Sequence, residues 1–236
     1  MFKGSVGVLP DMTAGIFSGI DPQVFDSVDT LSTPAVLIDL DILDENLAEF
    51  ARFARERDMT VRSHVKAHKM PILARRQLEL FDGGVLCQTL SEAEVMVQHG
   101  VNDILLVCPV VSDRKLDRLL WVAGKTDSFA TVVDCPGNIT PLHDKAVDHD
   151  TQLDVVLEID VGMDRMGVQP GAAAVPLARE ISERSHLNLV GILGHDGHVA
   201  ATSGSVADYE QAASTISEQL HNTQIALRDA GIPLDE

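Results

Sequence analysis

The sequence predicts an α/β protein whose parallel sheet curls into a (β/α)8-type barrel. Three observations carry that reading. Short apolar runs alternate with longer amphipathic segments from residue 35 onward, the pattern of β-α units joined by right-handed crossovers. Several of the apolar runs, such as Ile104-Leu105-Leu106-Val107, show no polar face, as expected of parallel strands covered on both sides. Residues with reactive side chains follow directly after these runs, and the carboxyl ends of the strands are where such a barrel holds its active site.

Residues 1–31 show little periodicity and read as an N-terminal extension, ahead of a single domain over 32–236. After Leu31-Ser32-Thr33-Pro34, Ala35 to Leu40 reads as a short strand. Asp41 to Arg57 then places Ile42, Leu43, Leu47, Phe50, Phe53 and Ala54 at helical spacing, with Asp41 or Asp44 as its cap. Val61 to Lys66 is the next strand. With period two, Arg62, His64 and Lys66 share one face while Val61, Val65 and Ala67 lie on the other. Pro71 opens a helix through Leu80 that Asp82-Gly83-Gly84 stops. Val85 to Thr89 is a strand, and Ser91 to Gly100 a helix with Ser91 as N-cap and Glu94 at the capping-box position. Three further units follow: strand Asp103–Val107 with helix Ser112–Ala123, strand Phe129–Val133 with helix Gly137–His149, and strand Leu153–Asp160 with helix Ala172–Ser185. Leu189 to Gly194 is the last strand, and Tyr209 to Ala230 a long helix closed by Gly231.

Counting from the lysine-bearing strand gives six β-α units, and Ile232 to Glu236 stands where a seventh strand would begin. A barrel of eight needs two more. Either the strand at 35–40 helps to close the sheet, or the sequence is a barrel truncated after about six units; we expect the second.

The length, 236 residues, suits one sizeable domain, and a composition 45% hydrophobic and 23% charged is that of a globular protein. No apolar run is long enough to span a bilayer, and Met1 to Thr30 lacks an apolar core followed by a small-residue cleavage site, so we expect a cytoplasmic protein. Asp and Glu total 36 against 18 Lys and Arg, a net charge of −18. Such a surface repels nucleic acid and anionic membranes, and suggests a salt-rich cytoplasm. Lysine is scarce: Lys66 and Lys69 are two of only six. Cys87, Cys108 and Cys135 are odd in number, widely spaced and beside apolar runs, which reads as buried free thiols.

The chemistry centres on Val61 to Lys69. An ammonium on the inner face of a strand is costly unless paired, and desolvation lowers its pKa towards the free amine that attacks carbonyls. Lys66 is therefore a candidate nucleophile, against the alternative of a solvated edge strand with a basic end. His64 and His68 flank it, either tuning its pKa or serving as satisfied core histidines. His195-x-x-His198 has a spacing that could bind metal, but a loop pair without a third ligand is a weak signal. Asp134 and Cys135 read as structural.

The motif Arg62-x-His64-x-Lys66-x-His68-Lys69-x-Pro71 resembles the cofactor-lysine motif of the D-threonine aldolase and D-serine dehydratase family, pyridoxal-phosphate enzymes with an alanine-racemase-like barrel. Ser32-Thr33-Pro34 with Asp39-Leu40-Asp41 and Asn46 is similar to that family's opening segment, and Thr89-Leu90-x-Glu92-Ala93 to its second barrel unit. Asp160-Val161-Gly162-x-x-Arg165-x-Gly167-Val168 looks like its Asp-x-Gly-x-x-Arg-x-Gly turn, and Gly191 to His198 like its Gly-His strand end. The resemblance covers residues 32 to 236. It implies pyridoxal 5′-phosphate held covalently by Lys66, which afterwards serves as a base near Cα. It also implies Arg165 beside the cofactor's ring oxygen, unless Arg165 forms a structural salt bridge with Asp160. His195 would stack on or orient the ring, with His64 close to the cofactor and His198 hydrogen-bonded to cofactor or substrate.

The same resemblance implies a lyase for D-β-hydroxy-α-amino acids, of the D-threonine aldolase type that yields glycine and an aldehyde. The alternatives are a D-serine dehydratase or a non-catalytic pyridoxal-phosphate-binding barrel. It implies no metal ligand among these residues: the family's divalent metal sits in a C-terminal β domain, and its Gly-rich phosphate segment also follows the point where this sequence ends. A homodimer is implied for the full-length protein, with a small-molecule D-amino acid as substrate and neither nucleic acid nor membrane as partner. A metal-dependent hydrolase barrel using His64, His68, His195 and His198 is a further reading that leaves the Asp160 to Val168 turn unexplained, and an inactive remnant, an open six-unit barrel with exposed sheet edges, is the last.

Overall fold

The computed structural model describes residues 28–232 and Leu234. Most of the expected N-terminal extension, residues 1–27, lies outside the described residues. The chain divides into two compact units between Arg57 and Asp58.

In the first unit a 3-10 turn at Val28–Thr30 and an extended, exposed segment lead to helix α1, Leu40–Arg55. The strand expected at 35–40 does not form. Val36 is 96% exposed, and Asp39, rather than Asp41 or Asp44, caps the helix by accepting the N–H groups of Asp41 (3.0 Å) and Ile42 (3.2 Å). A carboxylate at the N-cap satisfies orphan donors and complements the helix dipole, so the helix starts where a strand's last residue was expected. Leu47, Ala51 and Ala54 form its buried stripe. Phe50 and Phe53 are stacked with ring centroids 6.1 Å apart, and the Arg57 guanidinium lies 3.7 Å over Phe53.

The second unit is one six-stranded, fully parallel sheet in sequential order. Its elements are β1 (Ser63–His64), α2 (Pro71–Leu78), β2 (Val85–Cys87), α3 (Leu90–Gln98), β3 (Asp103–Leu106), α4 (Asp113–Ala123), β4 (Ser128–Val133), α5 (Pro136–Asp148), β5 (Leu153–Ile159), α6 (Val175–Ser182), β6 (Leu187–Gly194), α7 (Gly197–Thr202) and α8 (Val206–Asp229). The expected α/β architecture of six β-α units is therefore present.

The core takes every second strand residue: Val85 and Cys87, Ile104 and Leu106, Phe129 and Val133, and Leu153, Val155, Leu157 and Ile159. Helical Ala93, Met96, Leu119, Ile139 and Ile181 belong to the same cluster. This is the helix-covered face of the sheet. By alternation His64, Leu86, Leu105, Val132, Val156 and Glu158 occupy the other face.

Strand β6 reaches that face by a register shift. Val155 pairs with Leu189 but Val156 pairs with Gly191, so Val190 is an extra residue, a β-bulge. Leu187 and Leu189 lie in the helix-covered core. Beyond the bulge, Gly191 and Leu193 align with Val156 and Glu158 on the opposite face, and His195 follows them.

Local hydrogen bonds move several element ends. Helix α3 is capped by Thr89 and Glu92, not by Ser91 and Glu94. Thr89 Oγ1 accepts from Glu92 N (3.3 Å), while Glu92 Oε2 accepts from Thr89 N (3.2 Å) and Gln88 N (2.7 Å). Glu94 instead receives a bidentate pair from Arg118 on α4, at 2.6 and 2.5 Å. All three cysteines are free, but only Cys87 is buried, contrary to the expectation for Cys108 and Cys135. Burial and the neighbouring Glu92 push the Cys87 thiol up to about 12.

Candidate active site

The carboxyl ends of the strands gather Lys66, Gln88, Asp134, Asp160, Arg165, His195 and His198. At the end of β1, His64 Nδ1 accepts the Lys66 N–H at 3.4 Å and the chain turns into a 3-10 helix, Val65–Ala67. The strand therefore stops at His64, and the expected buried lysine on a strand face is corrected: Lys66 is exposed in that turn. Its ammonium acts electrostatically on both His64 and His195. His64 is half-buried, with Gln88 and the Leu86 carbonyl as ring partners. Burial first, and the Lys66 ammonium second, hold its pKa below the ordinary value.

The neighbouring basic residues are drawn elsewhere. Arg62 shares the face of His64 but lies at the amino end of the sheet, paired with Asp103 at 2.6 Å. His68 accepts from Met70 N (3.0 Å) through Nδ1, which leaves Nε2 to donate to Gln77 Oε1 (3.2 Å). It is a satisfied histidine that fixes the start of α2. Lys69 pairs with Glu92 at 3.3 Å.

After β5 the chain makes a tight turn and returns beside the strand: Asp160 N donates to Val168 O (2.8 Å) and Val168 N to Glu158 O (2.9 Å). Gly167, at φ +101°, is required there, since a Cβ would stand 2.6 Å from Asp160 N. Gly167 N donates to Asp134 Oδ2 at 3.1 Å, and Asn138 Nδ2 donates to Asp134 Oδ1 at 2.5 Å, so Asp134 is structural as expected. Asp160 Oδ1 accepts from Asp164 N (3.0 Å) and Gly162 N (3.1 Å). The Asp164 N–H foremost holds the Asp160 pKa below the usual carboxylate range. Asp160 is thereby committed to the turn, and the alternative salt bridge with Arg165 is not formed. Arg165 stands exposed on this turn, and among the described residues it has no ion-pair partner within 4 Å.

On the β6 side, burial, then Arg165, then Lys66 keep the His195 pKa below its ordinary value, so the ring is neutral at pH 7. His198 packs on the turn: a Cβ at Gly162 would lie 3.0 Å from its Nε2. Its Nδ1 is buried without a hydrogen-bond partner. Among the described residues no group of three or more His, Cys, Asp or Glu is arranged to hold a metal ion.

One residue of the site escaped the sequence reading. Glu158, in β5, is 3% exposed and its Oε2 is buried without a partner. Burial first pushes its carboxyl up to about 7, with Asp134 and Asp160 adding to the effect and Arg165 opposing it. The signal was present: a lone glutamate inside the apolar run Val155-Val156-Leu157-Glu158-Ile159 is a charge in a strand covered on both faces.

Residues 38–232 match the family described as alanine racemase, N-terminal domain. The chain belongs to that family. As an alanine racemase N-terminal domain it is 32% identical over 215 residues to the D-threonine aldolase of Arthrobacter sp., a match covering 90% of this chain and 56% of that protein. The crystal structure of D-threonine aldolase from Filomicrobium marinum superposes with a TM-score of 0.82 at 33% identity, over 86% of this chain and 55% of that one. D-threo-3-hydroxyaspartate dehydratase from Delftia sp. HT23 gives 0.79 at 27% identity, over 87% and 54%. The chain thus spans about half the length of the relatives it matches. Its alanine racemase N-terminal fold presents a primary amine, a guanidinium and neutral imidazoles at one end of a parallel sheet. That set can capture a carbonyl, support an anion and pass a proton.

Proposed function

We propose that this chain binds pyridoxal 5′-phosphate through Lys66 and forms the cofactor-holding part of a lyase for D-β-hydroxy-α-amino acids, of the D-threonine aldolase type. The observation that carries this reading is the meeting of an exposed lysine amine with Arg165, His195 and His198 at the strand ends. The residues suit such a group: Arg165 is exposed on its turn, and the buried His198 Nδ1 lacks a partner.

In this reading Lys66 holds the cofactor covalently and, when released, carries the proton at the substrate's α-carbon. When bound, pyridoxal phosphate supplies the electron sink that lets a bond at that carbon break. Arg165, permanently charged, would hold the ring oxygen of the bound cofactor, with His64 supporting the site. His195, whose charged form is disfavoured by burial and then by two cations, would pack on the ring without repelling them. His198 offers Nδ1 to cofactor or substrate. The aldolase reaction balances: the Cα–Cβ bond breaks, the β-hydroxyl gives up its proton, Cα gains one, and glycine and an aldehyde leave. The likeness to the Delftia dehydratase supports a second outcome, in which the α-proton leaves first and the β-hydroxyl departs.

The test is incubation with pyridoxal phosphate, borohydride reduction and peptide mapping, beside Lys66→Ala, followed by product analysis with D-threonine and D-serine. We expect an adduct on Lys66, none in the variant, and glycine from D-threonine. Ammonia and an oxo acid would select the dehydratase, and an adduct without either product the non-catalytic barrel. Absence of any adduct sinks the proposal.

A further inference from the structure

Among the described acidic residues, Glu158 alone keeps a buried carboxyl oxygen without a partner. Its two acidic neighbours are occupied: Asp134 by Asn138 and Gly167, Asp160 by Gly162 and Asp164. An unmet buried acceptor is expensive. Arg165 is the cation that acts on Glu158, yet it stands exposed on the turn and forms no ion pair among the described residues. A guanidinium presents its N–H donors along separate edges, so it can grip a carboxylate on one and an anion on another.

We propose that Glu158 is a positioning residue for Arg165: its free oxygen takes one edge of the guanidinium when an anionic ligand enters the site, leaving another edge to face that ligand. This rests on the pyridoxal-phosphate reading and deepens it. The charged groups that act on Glu158 are Arg165, Asp134 and Asp160. With its carboxyl titrating at about 7, the grip is present above that pH and released below it, which ties ligand affinity to pH through a residue the ligand does not touch.

The test follows pyridoxal-phosphate binding by absorbance titration of the wild type and Glu158→Gln at pH 8 and pH 6. Glutamine copies the protonated carboxyl. We expect the variant to bind about tenfold more weakly at pH 8 and equally at pH 6. Equal affinities at both pH values, or the same loss at both, overturn the proposal. A second measurement is independent of the cofactor: the carboxyl carbon-13 titration of Glu158, assigned by its loss in Glu158→Gln. Replacing Arg165 by Gln should raise the midpoint by about half a unit or more, and an unchanged midpoint overturns the proposal. If pyridoxal phosphate fails to bind at either pH, the cofactor reading fails, and the carbon-13 titration still decides whether Glu158 and Arg165 act as a pair.

Discussion

Glu158 ties function to a cost in stability. Its carboxyl holds a proton up to about pH 7 in the folded chain, against 4.5 for the ordinary side chain. Between those values the folded state binds more protons than the unfolded one, so this group's contribution to stability declines as pH rises and levels off above about 7. Asp160 acts in the opposite direction, since its lowered pKa gives stability that is lost only as pH falls below the carboxylate range. His64 and His195, both lowered, lose stability as pH falls below about 6.5. Comparing Glu158→Gln with the wild type cancels these other groups. We expect the variant to be the more stable by on the order of 1–3 kcal/mol at pH 8 and level with the wild type only below the ordinary value of 4.5, measured by urea unfolding. A difference that did not change with pH would contradict the buried-carboxyl account. The sequence offered Lys66, Arg165 and the histidines because their types are rare or their motifs distinctive. It offered Glu158 only as a break in an apolar run, because burial and hydrogen-bond satisfaction are properties of the folded neighbourhood.

At the level of the element, helix and strand alternation was legible throughout the second unit, whereas element ends were not. Ends depend on single side-chain hydrogen bonds: Asp39 capping α1, His64 closing β1, Thr89 and Glu92 starting α3. Thr89→Ala removes one half of the reciprocal cap, and we expect a loss of about 1 kcal/mol in denaturant unfolding, whereas Ser91→Ala should cost less. Gly167→Ala forces a side chain onto a positive φ and into the Asp160 backbone. We expect destabilisation of about 1–3 kcal/mol, and a weaker hold on Asp134 through the displaced Gly167 N–H. The bulge at Val190 was the least legible feature, because an apolar run carries no polar marker of its register. It is also decisive for the site. Continued from Leu189 without the bulge, period-two alternation sends Gly191, Leu193 and His195 to the helix-covered face. With Val190 bulged out of the ladder they align with Val156 and Glu158. Deleting Val190 lets Gly191 follow Leu189 directly and stand opposite Val156 in a regular ladder, so we expect His195 to keep its face and pyridoxal-phosphate binding to survive, with circular dichroism reporting on the sheet; loss of binding with the sheet intact would contradict this account of the bulge.

For the molecule as a whole, charge sets the terms. A net −18 on 236 residues means that acidic groups repel one another across the surface, and several of the few cations are spent locally, as Arg118 on Glu94 and Lys145 on Asp113 and Asp117. Added salt acts on the two effects unequally. It weakens exposed ion pairs, each worth little in the first place, and it screens the many long-range repulsions, whose reach falls from about 10 Å at 0.1 M to about 3 Å at 1 M. Repulsion is stronger in the compact state than in the expanded chain, so screening favours folding. We expect the melting temperature at pH 7.5 to rise as KCl increases from about 0.1 to about 1 M, steeply at first and then more slowly as the repulsions are exhausted. A chloride salt acts mainly by screening over this range, whereas sulfate also strengthens apolar burial. Running both separates the mechanisms: a rise with sulfate alone would assign salt stabilisation to the core, and a flat or falling response to KCl would show that local ion pairs outweigh the net charge.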